Sequence, residues 1–193
     1  MRFLLLAAAL SLAAAEPPRP SVKLTSRDGA FRVRARFLVD AVPSLAWSVL
    51  TDYDDLPRFV PSLLESRVVR RSPDGAIVEQ RGRARLLFFS HRFSLRLAVT
   101  EKPPGRIDFR DLGGGLFERY EGAWTVSASS RPCAVSYEVF ARFKPSLIPR
   151  ALARRMLLRS IQSQLSHVQA EIVRRQMLSS KGARGGSHDQ GHP

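Results

Sequence analysis

Three carboxylates, Asp52, Asp54 and Asp55, crowd one turn of this chain, a grouping that could serve general acid–base chemistry. Their setting argues for a plainer role. They stand where two short helical segments meet, and Asp54 or Asp55 there caps the second segment or is simply solvated. The other polar candidates are scattered. Gln80, His91, Tyr120 and Tyr137 fall on the inward parity of apolar strand patterns, and Arg154 or Arg155 falls beside an apolar helical stripe. A buried polar group needs a partner, and in a pocket that partner is the polar end of a ligand. Each also fits a duller role: His91 near a strand bend, the tyrosines as strand residues with a polar tip, and the arginines reaching back to water.

Other chemistries are excluded. Gly113-Gly114-Gly115 joins two strand patterns with no helix behind it, so it is a turn and not a phosphate loop. The four histidines include His188 and His192 near the C-terminus, and none has metal-ligand spacing. The lone Cys133 builds neither a disulfide nor a thiol site. We therefore assign no catalytic residue, no metal and no cofactor.

The elements that position these residues follow from periodicity. Phe31, Val33, Ala35, Phe37 and Val39 alternate with Arg32, Arg34 and Arg36, which predicts a half-buried strand. Trp47–Pro61 then reads as two short helices, with Pro43 in the first turn of one and Pro61 ending the other. Strands are expected at 66–71, 76–84, 86–101, 106–111, 116–127 and 134–143, separated by Pro- and Gly-rich turns. Short connections of this kind imply an antiparallel meander. From about Pro149 to Gln176 one long helix is predicted, its stripe running through Ile148, Ala151, Leu158, Ile161, Leu165, Val168 and Ile172. Arg150, Arg159, Gln162, Gln169 and Arg174 fall off it.

This order predicts an α+β fold, a curved antiparallel sheet of about seven strands wrapped around the C-terminal helix. Small inward residues (Ala35, Gly82, Ala84, Gly122, Ala141) either leave a pocket or let the helix sit closer. The expected lining is Trp47, Phe59, Phe88, Trp124, Tyr137, Leu158 and Ile161, with Gln80, His91, Tyr120 and Arg155 as polar contacts and access near 56–61 and 113–116.

Composition sets the outer bounds. Residues 3–15 are an apolar run behind Arg2 ending in three alanines, too short to span a bilayer and of signal-peptide type. Residues 1–15 are thus expected to be a cleaved signal peptide and the protein periplasmic, with retention as an anchor the alternative. Residues 16–25 read as a flexible lead-in, 26–177 as the folded domain and 178–193 as a disordered tail. The net charge of +14 comes mostly from arginine, dispersed along the chain. It permits docking to an anionic membrane through outward Arg32, Arg34, Arg81, Arg83, Arg92 and Arg96, while nucleic acid is not expected as a partner. Oligomeric state is not set by the sequence.

The segment WSVLTDYDDLPRFVPSLLESRVVRR, followed by VEQRG, LFFS, PPGRIDF and FERYEGAWTV, resembles the START-like superfamily. The nearest branch is the polyketide cyclase/dehydrase and coenzyme Q-binding START-domain proteins, and the resemblance covers about residues 27–176. It implies a helix-grip fold with an internal cavity for lipids, quinones, polyketides or sterols. It carries no universal catalytic signature, and export departs from the quinone-linked members, which act inside cells or mitochondria. The leading expectation is a non-catalytic carrier of an apolar small molecule. The alternative is a cyclase, dehydrase or aromatase using His91, Tyr120, Tyr137 and Arg155.

Overall fold

In the computed structural model, residues 18–86, 89–113, 115–127, 131–144 and 149–185 are described. Two strands open the chain, β1 (Ser21–Arg27) and β2 (Ala30–Val39). They form a hairpin closed on Asp28-Gly29, both with positive φ, 48° and 77°. That geometry matches the right-handed twist of the paired strands, and Asp-Gly supplies it with little strain. The stretch expected as a flexible lead-in is thus a sheet edge over its last five residues. Eight strands result where about seven were expected.

After β2 come α1 (Pro43–Thr51) and α2 (Leu56–Phe59), then six antiparallel strands. These are β3 (Leu63–Ser72), β4 (Gly75–Leu86), β5 (Phe89–Lys102), β6 (Arg106–Asp111), β7 (Phe117–Val126) and β8 (Cys133–Phe143). The last of them returns to pair with β2, giving the order β1-β2-β8-β7-β6-β5-β4-β3. Helix α3 (Arg150–Gly185) has 36 residues, a rod of about 54 Å. It continues past Gln176 through part of the expected tail.

The alternation set out above holds in three dimensions. Phe31, Val33, Phe37 and Val39 of β2 are buried, and Arg32, Arg34 and Arg36 between them are exposed. Leu95, Leu97 and Val99 of β5 and Val135, Tyr137, Val139 and Ala141 of β8 share the same inner face. Against it lie Ile161, Leu165, Val168 and Ile172 of α3, as the helical spacing requires. The start of the stripe differs. Ala153, Met156 and Leu157 are buried, whereas Ala151 is exposed and Leu158 only half-buried. The buried face steps back by fours from Ile161 to Leu157 and Ala153, so the seven-residue gap from Ala151 to Leu158 follows its flank. Ile148 lies outside the described residues.

Candidate functional site

Between the inner sheet face and α3 lie two adjoining chambers, of about 100 and 70 Å³. The first sits under the early turns of α3, among Leu63, Phe93, Leu95, Phe117, Met156 and Leu157. The second lies deeper, among Leu50, Val78, Leu97, Ile107, Trp124 and Val168. Gln80, Tyr120 and Gln164 border both and form a polar waist. Ser62, Phe93, Leu116, Phe143 and Ser160, all half-buried, mark where the first chamber reaches the surface.

One wall is a run of aromatic rings. Trp124 and Tyr137 approach to 4.4 Å, Tyr137 stacks on Phe109 at 6.0 Å, and Phe109 meets Tyr120 at 5.7 Å. The run continues through Phe117 at 4.7 Å to Phe143, also at 4.7 Å. Cross-strand register brings Trp124 opposite Tyr137, and the inward period of two keeps the rings on one face. The glycines serve this wall. A Cβ on Gly122 would run into the Glu138 carbonyl and the Phe109 ring, and one on Gly82 into the Phe93 ring and the Ser62 carbonyl. Their missing side chains are therefore filled by neighbours and do not create the void.

The waist is neutral and partly hydrogen-bonded. The Tyr120 and Tyr137 hydroxyls lie 3.2 Å apart, and Gln80 Nε2 donates to Ser66 Oγ at 3.3 Å. Burial raises the pKa of both tyrosines, Tyr137 strongly so because the Tyr120 hydroxyl also crowds it. Both remain protonated donors at neutral pH. Gln164 has no side-chain hydrogen-bond partner among the described residues.

Of the residues expected to line a cavity, Trp124, Tyr137 and Ile161 do, and so do the polar contacts Gln80 and Tyr120. Others do not. Trp47 is half-buried against the core from α1, away from both chambers. Phe59 lies under the Arg175 guanidinium, 5.9 Å from its ring centre. Leu158 is on the flank of α3, and Arg155 is exposed on its outer side. His91 keeps inward parity but is exposed. Phe88 lies outside the described residues. Sequence reasoning missed Gln164, a glutamine three residues after Ile161 and so on the inner face, and the apolar pair Met156 and Leu157.

The carboxylates make ion pairs and hydrogen bonds in place of a side-chain cap. Asp55 stands at the N-cap of α2 without a side-chain capping bond. Instead Arg175 of α3 donates to Asp52 and Asp55, each at 2.9 Å, and to Glu171 at 2.7 Å. Arg174 adds two bonds of 2.7 Å to Glu171. These hydrogen bonds hold the Glu171 carboxyl down at about 2. Asp54 accepts the Val68 amide at 2.8 Å. Gln169, read above as off the stripe, is buried and donates to the Pro18 and Leu38 carbonyls. Gln176 accepts the Val42 amide at 3.1 Å. All the ties made by α3 come from its later half. Among the described residues, side chains 150–165 make no hydrogen bond or ion pair to another element.

A single curved antiparallel sheet closed over one long C-terminal helix, with an apolar space between them, is the helix-grip architecture of START-like domains. The chain belongs to the polyketide cyclase / dehydrase and lipid transport family, whose sequence signature it matches over residues 39–168. Among solved structures it is similar to TTHA0849 of Thermus thermophilus, at 18% identity and a TM-score of 0.64, over 75% of this chain and 98% of that one. The Zhui aromatase/cyclase of Streptomyces sp. R1128 gives 17% and 0.62, over 76% and 95%. A STAR-related lipid transfer protein fragment of Xanthomonas axonopodis gives 15% and 0.58, over 78% and 98%. Similarity at this level fixes the fold. No curated protein matches the chain in sequence.

Proposed function

We propose that this protein binds a small apolar molecule between its sheet and α3 and carries it unchanged. The supporting observation is the pair of chambers with an aromatic wall and a neutral waist. Their apolar lining supplies affinity through burial, at roughly 25 cal/mol per Å² of ligand surface. The waist supplies specificity: the tyrosine hydroxyls and the Gln164 amide suit a ligand with a neutral oxygen function. Together the chambers are smaller than the ~300 Å³ at which ordinary ligand sites begin. Uptake therefore widens them, with Gln80 and Gln164 turning aside and the first turns of α3 lifting.

Carriage is favoured over turnover by the lining itself. Among its described residues there is no Asp, Glu, His, Lys, Arg or Cys, and the tyrosines titrate far above neutrality. A cyclase or dehydrase would need a proton acceptor there. His91 and Arg155, half of the polar set that such a reading invoked, face solvent. Among the described residues no helix is long and apolar enough to cross a membrane. Export to the periplasm rests on the apolar run at residues 3–15 alone. The test is native mass spectrometry of protein purified from its own host, with extraction of bound molecules. A stoichiometric apolar adduct supports the reading. A bare protein that also takes up no apolar fluorescent probe overturns it.

A further inference from the structure

We infer that the start of α3 and the strand ends around it form a docking face for an anionic lipid bilayer, set at the mouth of the first chamber. Half of the arginines expected on the sheet's outer face do not make this surface. Arg34, Arg81 and Arg96 there are paired with Glu138, Glu65 and Glu79. The free charge lies elsewhere. Arg150, Arg154, Arg155 and Arg159 are all exposed on the first three turns of α3, and none forms an ion pair among the described residues.

Local helix physics opposes this arrangement. A helix N-terminus carries partial positive charge and favours acids, yet the first turn of α3 has none. Like charges four residues apart repel, and both Arg150/Arg154 and Arg155/Arg159 have that spacing. A cluster that destabilises its own helix is compensated when an anionic partner neutralises it.

The neighbouring strand ends extend the same field. The Arg83 amide bonds to the Ser62 carbonyl just before β3, Arg92 is the fourth residue of β5, and Arg142 and Lys144 flank Phe143 at the end of β8. None of them is ion-paired among the described residues either. The acids at this end are few. Asp28 pairs with Arg27 and Glu65 with Arg81, while Asp111, which accepts the Arg96 backbone amide, and Glu118 pair with no cation among the described residues.

A bilayer fits better than a nucleic acid because the cations surround apolar features. Leu64 and Leu112, 53% and 47% exposed, stand on β3 and on the loop after β6, beside the chamber residues Leu63 and Leu116. Phosphates would meet the arginines while these leucines enter the acyl boundary. The choice of a membrane partner rests partly on the carrier reading, since the face surrounds the chamber's mouth.

The test compares flotation with phosphatidylcholine vesicles, with and without phosphatidylglycerol, at low and high salt. Wild-type protein should float only with the anionic vesicles and only at low salt. A variant with Arg150, Arg154, Arg155 and Arg159 changed to Gln should lose on the order of a hundredfold or more in partitioning. A control with Arg32, Arg36, Arg67 and Arg110 changed to Gln carries the same charge loss on the outer sheet face and should lose far less. Melting temperature checks folding, and the α3 variant should melt no lower than wild type because the repulsions are gone. Leu112→Ser is the second probe, with weaker partitioning expected at full charge. Equal losses in the two arginine sets, binding indifferent to salt, or tighter binding to duplex DNA than to anionic vesicles would each overturn the assignment. Uptake of an apolar probe by the α3 variant separates this outcome from failure of the carrier reading.

Discussion

Ser160→Leu measures whether the first chamber is a true void. Ser160 is half-buried on α3 and borders that chamber, which holds about 100 Å³. The exchange adds roughly 70 Å³ of apolar side chain, and at about 24 cal/mol per Å³ of cavity removed it stabilises by ~1.7 kcal/mol. For a domain of this size that is a rise of about 4–6 °C in melting temperature. Leucine is also the better helix former, so Ser166→Leu on the exposed side of the same helix supplies the propensity control. The difference between the two variants, read by thermal unfolding, isolates the filling. Uptake of an apolar fluorescent probe by Ser160→Leu should fall at least tenfold as the space is consumed. A fully packed interior gives the opposite sign, a loss of about 1–3 kcal/mol from overpacking. That sign, or unchanged probe uptake, refutes the chamber.

Two further predictions concern the latch and the wall. Glu171 is depressed from 4.5 to about 2 by its bonds to Arg174 and Arg175, and with solvent screening at the exposed Arg174 it contributes on the order of 1–2 kcal/mol of stability. Because the folded value is the lower one, that contribution is complete above pH 4.5 and disappears as pH falls toward 2. Denaturant titrations across this range should show the decline, and Glu171→Gln should flatten it; an unchanged slope would count against the latch. Gly122→Ala drives a methyl into the Glu138 carbonyl and within 2.7 Å of Phe109 Cζ. It should cost about 1–3 kcal/mol and perturb near-ultraviolet circular dichroism, and a neutral effect would contradict the packed aromatic wall.

The strands were legible because one face is wet and the other dry. Arg32, Arg34 and Arg36 against Phe31, Val33 and Phe37 settle a register that a one-residue slip would invert. The first strand escaped because the prolines just before it and its own polar residues suggested a tether, while Asp28-Gly29 carried the hairpin signal. The waist was half legible. Gln80 and Tyr120 declare themselves by parity, whereas Gln164 lies on a helix whose phase is fixed only once Ile161 and Leu157 are known to be buried. His91 shows the limit of parity, which gives a side chain's direction but not whether anything covers it. The ion cluster was illegible in principle: Asp52 and Arg175 are 123 residues apart, and only tertiary structure brings them together.

The fastening of α3 by its later half has a kinetic consequence. The helix resembles a cantilever, tied by hydrogen bonds over residues 169–176 and held over the first chamber only by apolar contacts such as Met156 and Leu157. Amides in its opening turns should exchange with solvent by local fraying while those near Glu171 wait for global unfolding. Residence of a guest would then be timed by the melting of two or three turns of backbone, a rate set by the arginine-crowded segment and insensitive to the loops.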